Sequence, residues 1–220
     1  MYKDEILVLR EKSLDYGVEL SEDQLGLFQI YLDELWAWNR RMNLTGLSHR
    51  ERMVFELFLD SIVPVPHLME TGRLLDAGSG AGFPGIPLKI CKPRLNAHLL
   101  EANAKKVSFL KQVIRLLNLD ETEVIRGRIE KDVDRLHPDR YHLITARALA
   151  PVGQTIAWCA PLLRPGGLLV SFMGGRIEDE LKENRQVTKE HGLTIYKRIP
   201  YALPARESER TTIIFEKEAS

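Results

Sequence analysis

Chemistry in this chain concentrates in four short stretches. The first is LLDAGSGAGFPGIPLKI, Leu74 to Ile90, where Asp76 is followed by Gly78, Gly80 and Gly82 and then by Pro84 and Pro87. Glycines after an apolar run let the backbone turn sharply and lie against a ligand with no Cβ between them. Pro84 falls at an early helical position, where its missing N–H costs nothing, and Pro87 is still in the first turn. A helix opening here offers free N–H groups and partial positive charge, worth roughly 0.3–1 kcal/mol to a nearby anion. A carboxylate suits that place as well as a phosphate does. The D-x-G-x-G-x-G spacing differs from the G-x-G-x-x-G of a nicotinamide dinucleotide site, and the Gly-Lys-Ser/Thr of a P-loop is missing.

An acid at Asp76, closing a strand just before such a loop, is the pattern of S-adenosylmethionine (SAM) methyltransferases. The other three stretches are read beside it. Glu101 ends the apolar run AHLLE, where a carboxylate can accept both hydroxyl protons of a ribose; the plainer alternative is a solvated acid. GRIE, Gly127 to Glu130, can hold an adenine edge through the backbone of Ile129 and the carboxylate of Glu130, or it is a turn with one surface acid. Arg147, in ITARALAP, can pair a donor's carboxylate through charge-assisted hydrogen bonds worth roughly 1.5–3 kcal/mol. It can equally grip RNA phosphate or form a structural ion pair. There is no Ser-His-Asp pattern and no His/Cys cluster with metal spacing, so no metal is expected.

These residues need elements to hold them. From Gly72 onward, short apolar runs alternate with helical stretches. RLLDAG, AHLLEA, EVIRG, YHLITARA and GGLLVSFM read as strands, with helices over Pro84–Ile90, Lys105–Leu117, Thr155–Leu163 and Ile177–His191. LTIYKRI and RTTIIFEK are late strands around the loop PYALPARES. The alternation predicts an α/β, Rossmann-like parallel sheet with helices on both faces, and ligands at the carboxyl ends of its strands. Residues before that are helical. Ser21 with Gln24 forms a capping box, and Leu25, Phe28, Leu32, Leu35 and Trp36 make one apolar face. A second helix spans about Arg50 to Leu59, and Pro64 and Pro66 end it. Trp36 and Trp38 read as helix-face packing rather than a base-stacking platform. We therefore expect an N-terminal helical subdomain over 1–70 and a methyltransferase domain over 71–220.

Composition sets the bounds. With 220 residues, 44% hydrophobic and 28% charged, the chain can bury a real core. Lys plus Arg and Asp plus Glu both number 31, so no global charge draws it to nucleic acid or membrane, and an RNA partner would need a local basic surface. Cys91 and Cys159 are far apart and read as thiols of a reducing compartment. The charged N-terminus does not suit a secretory segment, and no apolar run approaches the ~18 residues of a membrane span. A cytoplasmic protein, with a monomer favoured, is expected.

The motifs together resemble one family, RsmG, also called glucose-inhibited division protein B. The likeness rests on WNRRMNLTGL, Trp38 to Leu47; LDSI, Leu59 to Ile62; the long glycine–proline stretch; KKVSFL, Lys105 to Leu110; GRIE; ARALA; and the final ERTTIIFEK. It covers nearly the whole chain, and PGIPL is specific to the family. The resemblance implies methyl transfer from SAM to N7 of one guanosine in 16S ribosomal RNA of the small ribosomal subunit. It places Gly78, Phe83, Glu101, Ala102, Ile129, Glu130 and Arg147 at the cofactor, and Asn39 and Arg210 toward the RNA. The chain departs from the family in two places: Glu56-Leu57 stand where it has Arg-His, and Gly174 where it has Lys, with Arg176 close by.

N7 of guanine is an exposed lone-pair acceptor and needs no deprotonation. The expectation is therefore catalysis by alignment, with no essential general base. Arg40, Arg41, Lys105, Lys106, Lys111, Arg206 and Arg210 form the candidate phosphate-binding set, its affinity falling as salt rises. Two alternatives stay open: SAM-dependent methylation of another RNA, a protein or a small molecule, and a non-catalytic SAM-sensing RNA-binding module. A nicotinamide enzyme is more remote.

Overall fold

Leu74 and Leu75 are sequence neighbours that lie in different cores. Successive strand residues point to opposite faces, so a sheet covered on both sides must be apolar at every position. Leu143 with Ile144, Leu168 with Leu169, and Ile214 with Ile213 divide in the same way. The computed structural model describes residues 4–132, 136, 141–174, 177–204 and 209–219. Among them, seven strands form one sheet: β1 (Gly72–Ala77), β2 (Leu95–Glu101), β3 (Thr122–Arg126), β4 (Tyr141–Arg147), β5 (Leu163–Gly174), β6 (Leu193–Tyr201) and β7 (Arg210–Lys217). Their order is β3-β2-β1-β4-β5-β7-β6. β1 to β5 are parallel, and β7 runs antiparallel between β5 and β6. The order reverses beside β1, where β2 lies to one side and β4 to the other; open sheets of this kind bind ligands at that point.

The first helices are α1 (Asp4–Leu14) and α2 (Glu22–Met42). The capping box forms as expected: Gln24 N–H donates to Ser21 Oγ at 3.2 Å and Ser21 N–H to Gln24 Oε1 at 2.9 Å. The buried face of α2 is Leu25, Phe28, Tyr31, Leu32 and Leu35. Trp36 and Trp38 are partly buried against the same core. The helix expected near 50–59 begins as α3 (Arg50–Met53), widens into a π-helical stretch over Val54–Leu59, and ends as α4 (Asp60–Ile62). Within it, Asp60 N–H reaches the carbonyls of Phe55 and Leu57 and passes over Glu56. These helices share one continuous apolar cluster with Ile86, Phe109 and the Leu74 face of the sheet.

α5 (Gly85–Cys91) follows β1, and Pro84, in a cis peptide with Phe83, is its capping residue. α6 (Ala104–Leu116) starts at Asn103, whose Oδ1 accepts from Lys105 and Lys106 N–H at 2.9 and 3.3 Å. α7 (Val152–Cys159) covers the opposite face. The single helix expected over Ile177–His191 is instead α8 (Ile177–Glu183) and α9 (Arg185–Glu190). Asn184 divides them: its Nδ2 donates to the Glu180 carbonyl at 2.8 Å, competing with the backbone for that acceptor. No helix of the described residues is long and apolar enough to cross a membrane.

Candidate active site

The glycine loop is built from below by a buried acid. Asp76 has no exposed surface, and its Oδ2 accepts from Gly85 N–H at 3.0 Å while Oδ1 accepts from Thr145 Oγ1 at 2.7 Å. It thus ties the start of α5 to β1 and β4. Burial pushes its carboxyl up to about 6, against the hydrogen bonds that pull it down. Gly85 is required for this approach, since a Cβ there would meet Leu99 at 2.6 Å and Asp76 Oδ2 at 2.7 Å. Ser79 N–H donates to the Leu100 carbonyl at 2.9 Å, and Gly82 and Phe83 N–H both return to the Ser79 carbonyl. Gly78, Gly80 and Gly82 all have positive φ, which explains their residue type.

Phe83 stands apart from the other cofactor candidates. Its ring is buried and stacks on Tyr31 at 5.2 Å and 11°, with Phe58 at 5.4 Å. Tyr31 also donates its hydroxyl to the Ala81 carbonyl at 2.5 Å. The ring therefore supports the glycine loop from the core side, where α2 braces it.

Five of the predicted residues converge. Gly78, Glu101, Ala102, Ile129 and Glu130 line one cavity of about 250 Å³ at the carboxyl ends of β1, β2 and β3. Glu101 is buried there, its Oε2 accepting from Gly80 N–H at 2.8 Å and its Oε1 from Asn103 N–H at 2.7 Å. Each carboxylate oxygen keeps a further lone pair for a hydroxyl. Ile129 is buried, while Glu130 is exposed and 3.5 Å from Arg128. Leu149 and Trp158 also line this cavity.

Arg147 and Arg210 line a second cavity of about 410 Å³, with Gly174 and Phe172. Leu149 borders both spaces. The two arginines share one counter-ion, Asp60, which has no exposed surface. Arg147 Nη2 lies 3.3 Å from Asp60 Oδ2, and Arg210 Nε lies 2.8 Å from Oδ1. Tyr201 donates its hydroxyl to Oδ1 at 2.7 Å, and burial, reinforced by Asp60, keeps that phenol protonated well above its ordinary range. Arg147 Nη2 also donates to the Glu56 carbonyl, the one passed over by Asp60 N–H in the π-helical stretch. Arg147 Nη1 is buried without a partner.

Asn39 lies outside both cavities. Its Nδ2 donates to the Leu47 carbonyl at 2.7 Å, and its Oδ1 accepts from Thr45 N–H at 2.9 Å and Thr45 Oγ1 at 3.1 Å. It clamps the turn after α2. At the first departure from the family pattern, Leu57 is core and Glu56 is buried and paired with Arg52 at 2.6 Å. At the second, Gly174 faces Arg210 across the β5–β7 ladder. Arg176 and Arg206 lie outside the described residues.

The family model described as rRNA small subunit methyltransferase G matches residues 24–203. The chain belongs to this family. A Ribosomal RNA small subunit methyltransferase G of Lachnoclostridium phytofermentans is 35% identical over 91% of this chain and 84% of the relative. One of Chloroflexus aggregans is 37% identical over 94% and 88%. The fold is that of SAM-dependent methyltransferases: a solved SAM-dependent methyltransferase from Aquifex aeolicus superposes with a TM-score of 0.59, at 16% identity, over 79% of this chain and 96% of that one.

Sequence reasoning missed Asp60, although LDSI carried the resemblance. The available signal was a pair of acids, Glu56 and Asp60, inside the apolar run VFELFLDSIV, because a charge buried there needs a cationic partner. Trp158 and Leu149 left no signal, since an apolar cavity wall and an apolar core position look alike in sequence.

Proposed function

We propose that this family member methylates N7 of a guanosine in 16S ribosomal RNA, with SAM as donor, acting as a cytoplasmic monomer on the small subunit or its RNA. The observation that carries the reading is the adjacency of two cavities across Leu149: an acid-lined one at the ends of β1 to β3, and one presenting Arg147. Together they fall within the ~300–1,000 Å³ of small-molecule sites.

The residues fit the donor. Glu101 keeps lone pairs for the two ribose hydroxyls, and Ile129 with Glu130 borders the place for adenine. Arg147, which lines the second cavity, suits the methionine carboxylate, and Asp60 and the Glu56 carbonyl hold its side chain in place. Bound SAM supplies an electrophilic methyl on a sulfonium. What the chain contributes is alignment of the N7 lone pair with that methyl and exclusion of water, effects that can amount to several kcal/mol.

Cations frame the same edge. Lys105 and Lys106 sit in the first turn of α6, where the helix dipole disfavours positive charge. Lys106 Nζ is 3.9 Å from where a Cβ on Gly80 would be. Placement of lysines against the dipole favours an anionic partner there, and RNA phosphate meets that description.

The test is to incubate the protein with labelled SAM and small subunits from a strain lacking the enzyme, then digest the RNA and measure 7-methylguanosine. New 7-methylguanosine at one position is expected. Tight SAM binding without that product, on subunits and on naked RNA, would refute the acceptor while leaving the donor site standing. A second expectation follows from N7 chemistry: no single histidine-to-alanine change abolishes turnover in a variant that still binds SAM and RNA.

A further inference from the structure

The amino ends of the strands carry another concave surface, at the opposite end of the sheet from the two cavities above. An open depression of about 670 Å³ is lined by Gly72, Arg73, Arg94, Asn96, His142 and Arg164. β1 runs from Gly72 to Ala77, so at ~3.3 Å per residue this surface lies about 20 Å from the donor cavity.

Three separate segments deliver its arginines: Arg73 from β1, Arg94 from just before β2, and Arg164 from the start of β5. Its floor is built. The His142 ring lies over Gly72, where a Cβ would come within 2.8 Å of it. Arg73 N–H is 3.1 Å from His142 Nδ1, and Arg164 Nη1 is 2.9 Å from Nε2. Burial, then Arg164 and Arg73, lower the proton affinity of the ring and favour its neutral form. A neutral imidazole has one acceptor nitrogen, so it satisfies one of these two donors and leaves the other wanting an acceptor.

The local charge is unbalanced in a chain whose total is zero. Among the described residues, Glu70 is the acid in ion-pair range of these arginines; it is 3.9 Å from Arg94 and shared with Lys92. Glu121 is close as well, accepting from Asn96 Nδ2 at 2.7 Å. Guanidinium groups present paired N–H donors that match phosphate oxygens. A cationic hollow on an otherwise neutral protein is an electrostatic footprint for nucleic acid.

We propose that this depression grips the phosphate backbone of the substrate RNA at a second point, remote from the methylated base. The proposal rests on ribosomal RNA being the substrate. Backbone contacts of this kind fix orientation without reading sequence. They would hold a folded RNA at two places about 20 Å apart along the strands.

The experiment compares the parent with a triple variant, Arg73→Gln, Arg94→Gln and Arg164→Gln, and with the matching triple Arg→Lys variant. Binding to naked small-subunit ribosomal RNA is measured across a salt series, and SAM affinity by calorimetry. Each lost phosphate contact removes ~0.7–0.9 from the slope of log affinity against log salt, so the Gln variant should lose about 2–3. The Lys variant should keep most of its slope, and SAM affinity should be unchanged in both. Arg94→Gln alone, with a side chain 69% exposed, guards against a triple variant that fails to fold and should lose ~0.7–0.9. An unchanged slope in the Gln variants overturns the proposal. So does an equal loss in the Lys variant, which would mean disturbed packing, or an effect seen on whole subunits but not on naked RNA, which would mean a protein contact. A parent that binds RNA with no salt dependence would defeat the RNA reading itself, and this proposal with it.

Discussion

Replacing Asp60 by Asn should destabilise the fold and weaken the proposed donor site. Asp60 is fully buried and is the shared counter-ion of Arg147 at 3.3 Å and Arg210 at 2.8 Å, whose side chains are 17% and 12% exposed. Asn has nearly the same shape but no charge, and its amide turns a donor toward two guanidinium groups that cannot accept. Removing one partner of a buried ion pair costs about 3–5 kcal/mol, because the remaining charge is left uncompensated. For a chain of this length each kcal/mol moves Tm by about 2–4 °C, so the expected fall is about 6–20 °C. Calorimetric melting of parent and variant measures it directly. At a temperature where both are folded, SAM affinity should fall about 10- to 150-fold, the equivalent of the ~1.5–3 kcal/mol of a charge-assisted hydrogen bond from a correctly aimed Arg147. A double-mutant cycle with Arg210→Ala should show coupling, since the two residues touch. A variant melting within about 2 °C of the parent and binding SAM equally well would refute the shared counter-ion as the device that orients Arg147.

Three other outcomes follow from the same geometry. Glu101→Gln puts an amide N–H against Gly80 or Asn103 N–H, so SAM affinity should drop by at least about tenfold and stability by about 1–3 kcal/mol; calorimetry and urea melts check both. Asp76→Asn should flatten the pH dependence of stability. Burial raises the carboxyl from 3.8 to about 6, so the folded chain holds a proton that the unfolded chain releases. Stability from this group is therefore present below pH ~4 and is lost as pH rises to ~6, by about 3 kcal/mol for a shift of about two units. Parallel pH profiles in parent and variant would contradict this. Asn39→Ala removes three hydrogen bonds from the turn after α2, costing about 1–3 kcal/mol; if RNA affinity falls with SAM affinity intact, the turn itself meets the RNA.

Much of the molecule was legible before any coordinates. The alternation of apolar runs with helical periods determines the parallel sheet, because a strand covered on both faces must be apolar throughout. The glycine loop, Glu101 and GRIE were readable as one site, because a parallel sheet brings the ends of its strands together whatever the distance along the chain. What tertiary structure alone decided is which partner each polar group takes. Arg147 was open to donor, RNA or ion pair, and its geometry places one nitrogen against Asp60 and leaves another unpartnered. Phe83 and Asn39 carry motifs of the family, yet one ring is stacked on Tyr31 and one amide is spent on Thr45 and Leu47. Asp60, 87 residues from Arg147 and 150 from Arg210 in sequence, meets both. Periodicity is local and survives in one dimension. Charge pairing across a fold depends on distances between segments, and those exist only once the chain has closed on itself.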